Sequence, residues 1–351
     1  MISMINAREN KDYLKKLLSR TQFEFAEVNQ AVAKILADVK KRMDAALREY
    51  TLKYDGVKIK DFLVPQSEIE ASVRKIDPEL RNDLERAREN IAKFHEQQLI
   101  SPYTINEGAE IILGQMVRAI DRVGIYVPGG SAAYPSTVLM NAVPAKIAGV
   151  EEVVMVTPPD GEGKIKDSVL AAASIAGVDK IFRVGGAQAI GALAFGTESI
   201  PKVSKIVGPG NIYVAMAKRA VSGYVGIDMI AGPSEILIIA DETANPQYVA
   251  ADLLSQAEHD ELAASLLVTD SGKLAREVIK SLEEQTARLT RGRIIEKSLE
   301  NYGTVLLTGS LAESIEIANE IAPEHLEILT KDPFAVCQQV KNAGAVFLGE
   351  F

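Results

Sequence analysis

The chain has 351 residues, of which 47% are hydrophobic and 25% charged, and it contains one cysteine, Cys337. This length and composition predict a sizeable core and about two domains of roughly 150 residues, and a single cysteine excludes a disulfide framework or a Cys₄ metal site. With 39 Lys and Arg against 48 Asp and Glu, the net charge is −9, which argues against nucleic-acid binding and against a polybasic membrane anchor.

Targeting segments are not predicted. No apolar run approaches the roughly 18 residues that span a bilayer. The first ten residues lack the basic-then-apolar order of a secretion signal. We therefore expect a cytoplasmic protein without membrane contact.

The N-terminal third predicts helices. Apolar residues recur at helical spacing over residues 23–50 and again over residues 77–97, where Pro78 suits the first helical turn. The segment Tyr54–Gly56 predicts a turn between them. We expect residues 1–20 to form a further helical segment, which packs on a partner subunit.

From about Gly114 onwards, short apolar runs alternate with helical stretches. Four such runs each lead into a turn rich in Gly or Pro: 122–127, 152–156, 180–184 and 205–207. Helices are predicted between them at 135–148, 165–176 and 187–197. This order is typical of βαβ units in a parallel sheet, and continuously apolar strands are expected where helices cover both faces.

A second series of the same kind follows. Strands are predicted at 236–239, 265–268, 304–307 and 345–347. Helices are predicted at 246–259, 271–289 and 311–320. We therefore expect an α/β fold of two doubly wound, Rossmann-like modules with a cleft between them, plus N-terminal helices.

The glycine turns are the first functional signal. A glycine after a strand lets backbone amides approach a phosphate, although a single such turn is more often a tight connection without ligand. Four in one module indicate a crevice at the carboxyl ends of the strands. The sequence has neither G-x-G-x-x-G nor a Walker A motif, since the nearest segment, Gly208–Tyr213, has tyrosine in place of the third glycine. Any NAD site here is predicted to be atypical.

Three histidines are present. His95 lies on a polar helix face, which is typical of a solvated residue. His259 follows Gln256 by three positions, so on a helix both side chains point to one side and offer half of a metal site. The alternative is a histidine that merely ends the helix.

The third histidine, His325, follows Pro323 and Glu324. Proline at a first helical position would place both at a helix N-terminus, where the dipole favours carboxylate and disfavours imidazolium. A neutral histidine beside an ionised glutamate can activate water and shuttle protons. The alternative is that Glu324 only caps a helix and that His325 has no role in catalysis. Cys337 lies in an amphipathic helical pattern, which indicates a buried structural thiol rather than a nucleophile.

Six motifs in order carry a resemblance to a known family. They are Gly124–Ser131, Val184–Ile190, Val207–Asn211, Ile230–Glu235, Ser255–His259 and Ala322–Glu327. With these motifs, the chain resembles the histidinol dehydrogenase family from about residue 20 to its end.

The resemblance implies a zinc- and NAD-dependent enzyme. Such an enzyme oxidises L-histidinol to L-histidine through histidinaldehyde with two NAD⁺, at the end of histidine biosynthesis, and is a homodimer. It implies that Tyr126, Gln188 and Asn211 bind NAD. It implies that Ser234, Gln256, His259 and His325 bind substrate, that Gln256 and His259 ligate zinc, and that Glu324 and His325 form the acid–base pair.

The same resemblance implies a domain plan. An NAD-side α/β domain, residues 126–234, would be inserted into a discontinuous domain of residues 20–125 and 235–351, which carries the catalytic and zinc motifs. The family pattern continues past Phe351 with an aspartate and a histidine that complete the zinc ligands and a glutamate that holds substrate. Because catalytic zinc usually has three protein ligands, we expect this chain to bind zinc weakly and to turn over poorly or not at all.

Two alternatives stay open. One is a catalytically impaired fragment or paralogue that keeps dimerisation or ligand binding. The other is another NAD-dependent amino-alcohol or aldehyde dehydrogenase. Its cysteine-dependent form would need Cys337 as the reactive thiol.

Overall fold

The computed structural model divides into two compact units, Met1–Glu24 with Gly232–Phe351 and Phe25–Ala231. We call the first the terminal unit and the second the central unit. The structure describes residues 2–9, 26–106, 111–129, 133–230, 232 and 234–350. No helix in these ranges is both long and apolar enough to cross a membrane.

Helices and strands alternate through most of the described chain. The strands are β1 (Ser3–Asn6), β2 (Tyr103–Asn106), β3 (Ile112–Gln115), β4 (Arg122–Tyr126), β5 (Glu152–Thr157), β6 (Lys180–Arg183), β7 (Lys205–Val207), β8 (Gly226–Ile227), β9 (Glu235–Ala240), β10 (Ala264–Thr269), β11 (Gly303–Leu307), β12 (His325–Leu329) and β13 (Ala345–Leu348). The helices are α1 (Ala26–Arg42), α2 (Asp44–Asp55), α3 (Gln66–Lys75), α4 (Pro78–His95), α5 (Pro135–Ile147), α6 (Asp167–Ala176), α7 (Gly186–Phe195), α8 (Ile212–Val221), α9 (Pro246–Ala257), α10 (Gly272–Thr286), α11 (Gly292–Tyr302), α12 (Leu311–Ile321) and α13 (Pro333–Cys337).

The central unit is built on a five-stranded parallel sheet in the order β6-β5-β4-β7-β8. In chain order this is 3-2-1-4-5, the order of dinucleotide-binding folds, and the strand order reverses between β4 and β7. Helices α1, α2, α7 and α8 cover one face. Helices α3 to α6 cover the other, which is why these strands are apolar throughout. Strands β2 and β3 form a separate antiparallel pair.

The helices at the start of the central unit differ from the predicted ones in two respects. The predicted helix over 23–50 is divided at Met43, whose φ of 51° is left-handed and ends α1. Residues 26–95 also pack on the helices that cover the central sheet, where Val39 and Leu47 are buried with Leu193 of α7, so the structure assigns them to the central unit. This differs from the predicted domain plan, which grouped residues 20–125 with the C-terminal residues. The predicted turn is present, and Gly56 closes α2 with a φ of 72°.

The terminal unit contains a six-stranded parallel sheet in the order β1-β11-β10-β9-β12-β13. Strands β9 to β13 repeat the 3-2-1-4-5 order of the central sheet. Helices α9, α10 and α11 pack on one face, and α12 and α13 on the other. Both units are therefore doubly wound, and the predicted α/β class is confirmed.

Two predicted helices are strands. The helical expectation for residues 1–20 is wrong at residues 3–6, which form β1 and add to the outer edge of β11 in register. Residues 10–25 lie outside the described residues. The expectation that His325 begins a helix is also wrong. Ala322 adopts a φ of 51° that ends α12, and β12 then runs between β9 and β13.

Candidate functional site

The first group of predicted site residues lies at the carboxyl end of the central sheet. Tyr126 is the last residue of β4 and is buried, and its hydroxyl oxygen accepts a hydrogen bond of 3.1 Å from Gly186 N. Burial raises the pKa of Tyr126 to about 12, so the hydroxyl keeps its proton and remains able to donate to a ligand.

Gln188 belongs to the same cluster. It lies in the first turn of α7 and is 1% exposed. Its side chain folds back over Gly186, since a Cβ placed on that glycine would lie 2.7 Å from Gln188 Oε1. Gly186 therefore brings Tyr126 and Gln188 together at one point.

Asn211 follows β7, the strand next to β4. Its Oδ1 caps α8 by accepting from Tyr213 N at 3.1 Å and Val214 N at 3.2 Å. The capping contacts use only Oδ1, so Nδ2 is the group that Asn211 can offer to a ligand. Gly208, at the start of this turn, has a φ of +108°, and a Cβ there would lie 2.2 Å from Tyr126 O. Only glycine allows the turn to approach β4 so closely.

The other glycine turns also crowd the carboxyl ends of the strands. A Cβ on Gly129 or on Gly185 would lie within 2.5 Å of Pro158. A small cavity of about 80 Å³ adjoins Gly129, Thr157 and Pro158. These contacts agree with the crevice that the sequence predicts at this edge of the sheet.

Asp55 is a further residue near Tyr126, and its charge adds to the raised pKa of that tyrosine. Burial raises the pKa of Asp55 itself to about 6. Its Oδ2 is buried and has no hydrogen-bond partner among the described residues. Sequence reasoning missed it, because an aspartate before a turn glycine carries no signal beyond the turn.

The second group of predicted residues lies in the terminal unit, at the amino edge of its sheet. In the strand register, His325 pairs with Ile236 and Ala264 pairs with Glu235, so β9, β10 and β12 begin side by side. Ser234 immediately precedes β9, and its carbonyl oxygen accepts from Ala264 N at 3.0 Å. The loop that carries His259 leads into β10.

The backbone of Glu235 anchors both members of the predicted acid–base pair. His325 Nδ1 lies 3.0 Å from Glu235 O. Because a carbonyl oxygen only accepts, Nδ1 carries the proton and a neutral ring has its lone pair on Nε2. Glu324 Oε2 accepts from Glu235 N at 3.2 Å and lies 3.9 Å from His325 Nδ1. The tautomer of His325 is thus set by a neighbouring strand, and the predicted helix N-terminus is not present at this histidine.

His259 has the same type of anchor. Its Nδ1 lies 2.8 Å from Ser255 O, so Nδ1 donates and Nε2 is the outward-facing acceptor of the neutral ring. Helix α9 ends at Ala257, and a turn bond of 3.1 Å from His259 N to Gln256 O extends it. Gln256 is buried and His259 is exposed.

These two residues meet part of the requirement for zinc. A ligating histidine usually donates its other ring N–H to a carbonyl or carboxylate, as His259 does. Over the described ranges, however, no group of three or more His, Cys, Asp or Glu side chains could hold a metal ion. Gln256 and His259 therefore offer two donors, fewer than the three usual at catalytic zinc.

The remaining predicted residues lie apart from these two groups. His95 is on α4 and its Nδ1 contacts Gln98 Oε1 at 2.7 Å. Cys337 ends α13, where it packs half-buried against the core. Four motif residues lie outside the described part of the chain: Gly130, Ser131, Ala231 and Pro233.

The fold and the two groups of residues define a two-unit α/β protein with doubly wound parallel sheets, each containing the 3-2-1-4-5 strand order of dinucleotide-binding folds. The family model described as histidinol dehydrogenase matches residues 18–351. The chain therefore belongs to the histidinol dehydrogenase family, a family of oxidoreductases of histidine biosynthesis, and the resemblance inferred from the motifs is confirmed.

Individual relatives agree with this assignment. Histidinol dehydrogenase of Clostridium acetobutylicum is 52% identical over 343 residues, which cover 98% of this chain and 80% of that protein. The Aquifex aeolicus histidinol dehydrogenase is 53% identical over 345 residues, covering 98% and 79%. The crystal structure of histidinol dehydrogenase from Elizabethkingia anophelis superposes with a TM-score of 0.94 at 38% identity, covering 100% of this chain and 81% of that one.

Proposed function

We propose that this chain oxidises L-histidinol to L-histidine through histidinaldehyde, with reduction of two NAD⁺, as a cytoplasmic homodimer. The carrying observation is that Glu235 holds Glu324 and His325 together while leaving Nε2 of His325 as the acceptor. A fixed base beside a carboxylate suits the proton transfers that an alcohol and then a hydrated aldehyde require.

Substrate binding is proposed for the amino edge of the terminal sheet. Ser234 and His325 lie there, and His259 lies in the loop that leads to it. Gln256 and His259 would also supply two ligands to zinc, and zinc when bound would orient the substrate through its nitrogen atoms and polarise its oxygen. Further ligands would have to come from groups other than these two.

Dinucleotide binding is proposed for the crevice of the central unit. Tyr126 can donate its hydroxyl proton there, and Asn211 can donate from Nδ2. Gln188 offers an amide in the first turn of α7, where the helix dipole also favours an anionic group. NAD⁺, when bound, accepts the hydride.

The proton steps follow from the anchored pair. His325 Nε2 takes the hydroxyl proton of histidinol as the carbon-bound hydride leaves, which gives the aldehyde. Glu324 then takes a proton from water as the water oxygen bonds to the aldehyde carbon. The resulting hydrate, with one of its two oxygens ionised, loses a second hydride and a proton and becomes the carboxylate. In total one alcohol and one water yield two hydrides, three protons and one carboxylate.

The test is the formation of NADH from L-histidinol, followed by absorbance with and without added Zn²⁺. We expect slow turnover in wild type that added Zn²⁺ increases, because zinc binding is weak, and a further loss of at least ~100-fold in His325→Asn, which keeps a donor for Glu235 O but lacks a base at Nε2. His95→Asn is the matched control and should turn over like wild type. Equal rates in H325N and H95N would contradict the proposal.

A second candidate function is ligand binding without turnover. The observation that favours it is that no group of three or more His, Cys, Asp or Glu side chains in the described residues could hold a metal ion. Calorimetry would separate the two: histidinol binding with no NADH formed at any zinc concentration supports this second function. A dehydrogenase that uses Cys337 predicts instead that Cys337→Ala abolishes activity, whereas the proposed mechanism leaves that variant active.

A further inference from the structure

A buried lysine lies beside the proposed dinucleotide crevice, and none of the steps above uses it. Lys218 is on α8 and its side chain is 2% exposed. Its ammonium group donates to Gly208 O at 2.9 Å and forms an ion pair with Asp228. A lysine is rarely buried to this extent without a partner that fixes its position.

Asp228, just after β8, completes a closed set of contacts around one residue, Gly208. Its Oδ2 accepts from Gly208 N at 2.8 Å, while its Oδ1 faces Lys218 and accepts from Met229 N at 2.6 Å. The backbone N–H of Gly208 therefore binds the anion of the pair, and its C=O binds the cation. Both polar groups of this residue are satisfied at the point where the chain leaves β7.

Gly208 is the residue whose position matters most in this turn. Its φ of +108° and its approach to Tyr126 O exclude any side chain there. Three residues later, Asn211 begins α8 as its N-cap. The turn between them is thus fixed at one end by the ion pair and at the other by helix capping.

The ion pair is not explained by stability alone. Replacing a buried pair by well-packed apolar residues is often neutral or stabilising, because desolvation offsets the attraction. The pair does, however, supply one donor and one acceptor with fixed geometry to the two successive peptide groups that flank the Gly208 Cα. Such an arrangement specifies a conformation.

We propose that Lys218 and Asp228 are positioning residues of the dinucleotide site, which hold the backbone of Gly208 on both sides of its Cα so that Asn211 is presented beside Tyr126. This inference rests on the proposed function, since it assigns NAD⁺ to that crevice. Its consequence is specific: loss of the pair weakens dinucleotide binding and leaves the proton transfers at His325 unchanged.

The test compares Lys218→Met with Arg219→Met, the next residue on α8, which is exposed and loses the same charge. NADH affinity is measured by fluorescence titration, and KM for NAD⁺ and kcat by NADH formation. We expect K218M to bind NADH and NAD⁺ at least ~10-fold more weakly, equivalent to about 1.4 kcal/mol, with kcat within about 3-fold of wild type. R219M should match wild type. Lys218→Arg, which keeps a donor and a charge, should recover part of the affinity.

Hydrogen exchange gives a readout that is independent of the cofactor. In K218M, and in Asp228→Asn if K218M does not fold, the peptide over 205–214 should exchange faster than in wild type, while the peptide over β5 should not change. Wild-type affinity together with wild-type exchange in K218M would overturn the inference. If wild type itself binds no NADH, the proposed function fails, and exchange over 205–214 then decides whether the pair holds the turn.

Discussion

The carboxyl groups of Asp252 and Glu327 share a hydrogen bond, although one residue lies on α9 and the other on β12. Burial, together with the charge of Asp252 and the hydrogen bond to it, raises the pKa of Glu327 to about 7. Burial also raises the pKa of Asp252. Glu327 Oε2 is buried without a hydrogen-bond partner in the described residues. The pair therefore holds a proton up to neutral pH, two residues along the strand from His325.

This proton makes stability depend on pH. Because the pKa of Glu327 in the folded state lies above its unfolded value of about 4.3, the folded state binds more protons between these two values. The stabilisation is complete below about pH 4.3 and is lost as the pH rises through about 7. Glu327→Gln should raise the free energy of unfolding by about 1 kcal/mol at pH 8, after allowance for solvent screening, and change it little at pH 5.

Urea denaturation followed by circular dichroism at both pH values measures this effect. Glu316→Gln is the control, since Glu316 is an exposed glutamate on α12. A shift of the same size at pH 5 and pH 8 in E327Q would show that the carboxyl pair does not hold the proton.

A second prediction concerns the turn after β7. Gly208→Ala should destabilise the protein by about 3 kcal/mol or more, because the new Cβ combines a strained φ with a clash against Tyr126 O. Gly223→Ala separates the two causes. Gly223 has a similar φ of +101° but no atom within 4 Å of the added Cβ, so its cost should be about 1–2 kcal/mol. If the two variants have equal free energies of unfolding, then the close approach to Tyr126 O is not the reason why residue 208 is a glycine.

A third prediction concerns the hydroxyl of Tyr126. Tyr126→Phe leaves Gly186 N without its acceptor and should lower the free energy of unfolding by about 1–3 kcal/mol. It should also weaken NADH binding, since the hydroxyl donor is lost. Tyr213→Phe is the matched control, because Tyr213 is 44% exposed in the first turn of α8. NADH titration and thermal unfolding of both variants would show whether the two losses occur together.

A fourth prediction concerns zinc. His259→Ala should lower Zn²⁺ affinity by at least about 100-fold. This is more than the 10- to 100-fold loss that is typical when a residue that only hydrogen-bonds to a metal ligand is removed. Titration calorimetry with Zn²⁺ measures this directly, with His95→Ala as the control. Unchanged affinity in H259A would place the bound metal elsewhere in the protein. Treatment of wild type with a chelator should abolish histidinol oxidation and leave NADH binding intact.

The regular elements could be predicted because their signals are local. Strands β4 and β5 are apolar runs, and α4 has both an N-cap and a first-turn proline, Asp77 and Pro78. Strands β1 and β12 were not predictable in this way. Residues Ser3–Asn6 form a strand only because they pair with β11, some 300 residues away. At β12, Pro323 gives a local helix-start signal, but pairing with β9 and β13 makes the segment a strand.

By itself, the sequence determined the α/β class, most of the helices and strands, and the six motifs that mark the family, since these follow from short-range periodicity and residue identity. Only the tertiary structure decided the chemical state of the groups within those motifs. Glu235 O selects the His325 tautomer across 90 residues, and Asp228 holds the backbone N–H of Gly208 across 20. These hydrogen bonds join segments that meet only when the sheets form, so no local pattern in the chain encodes them.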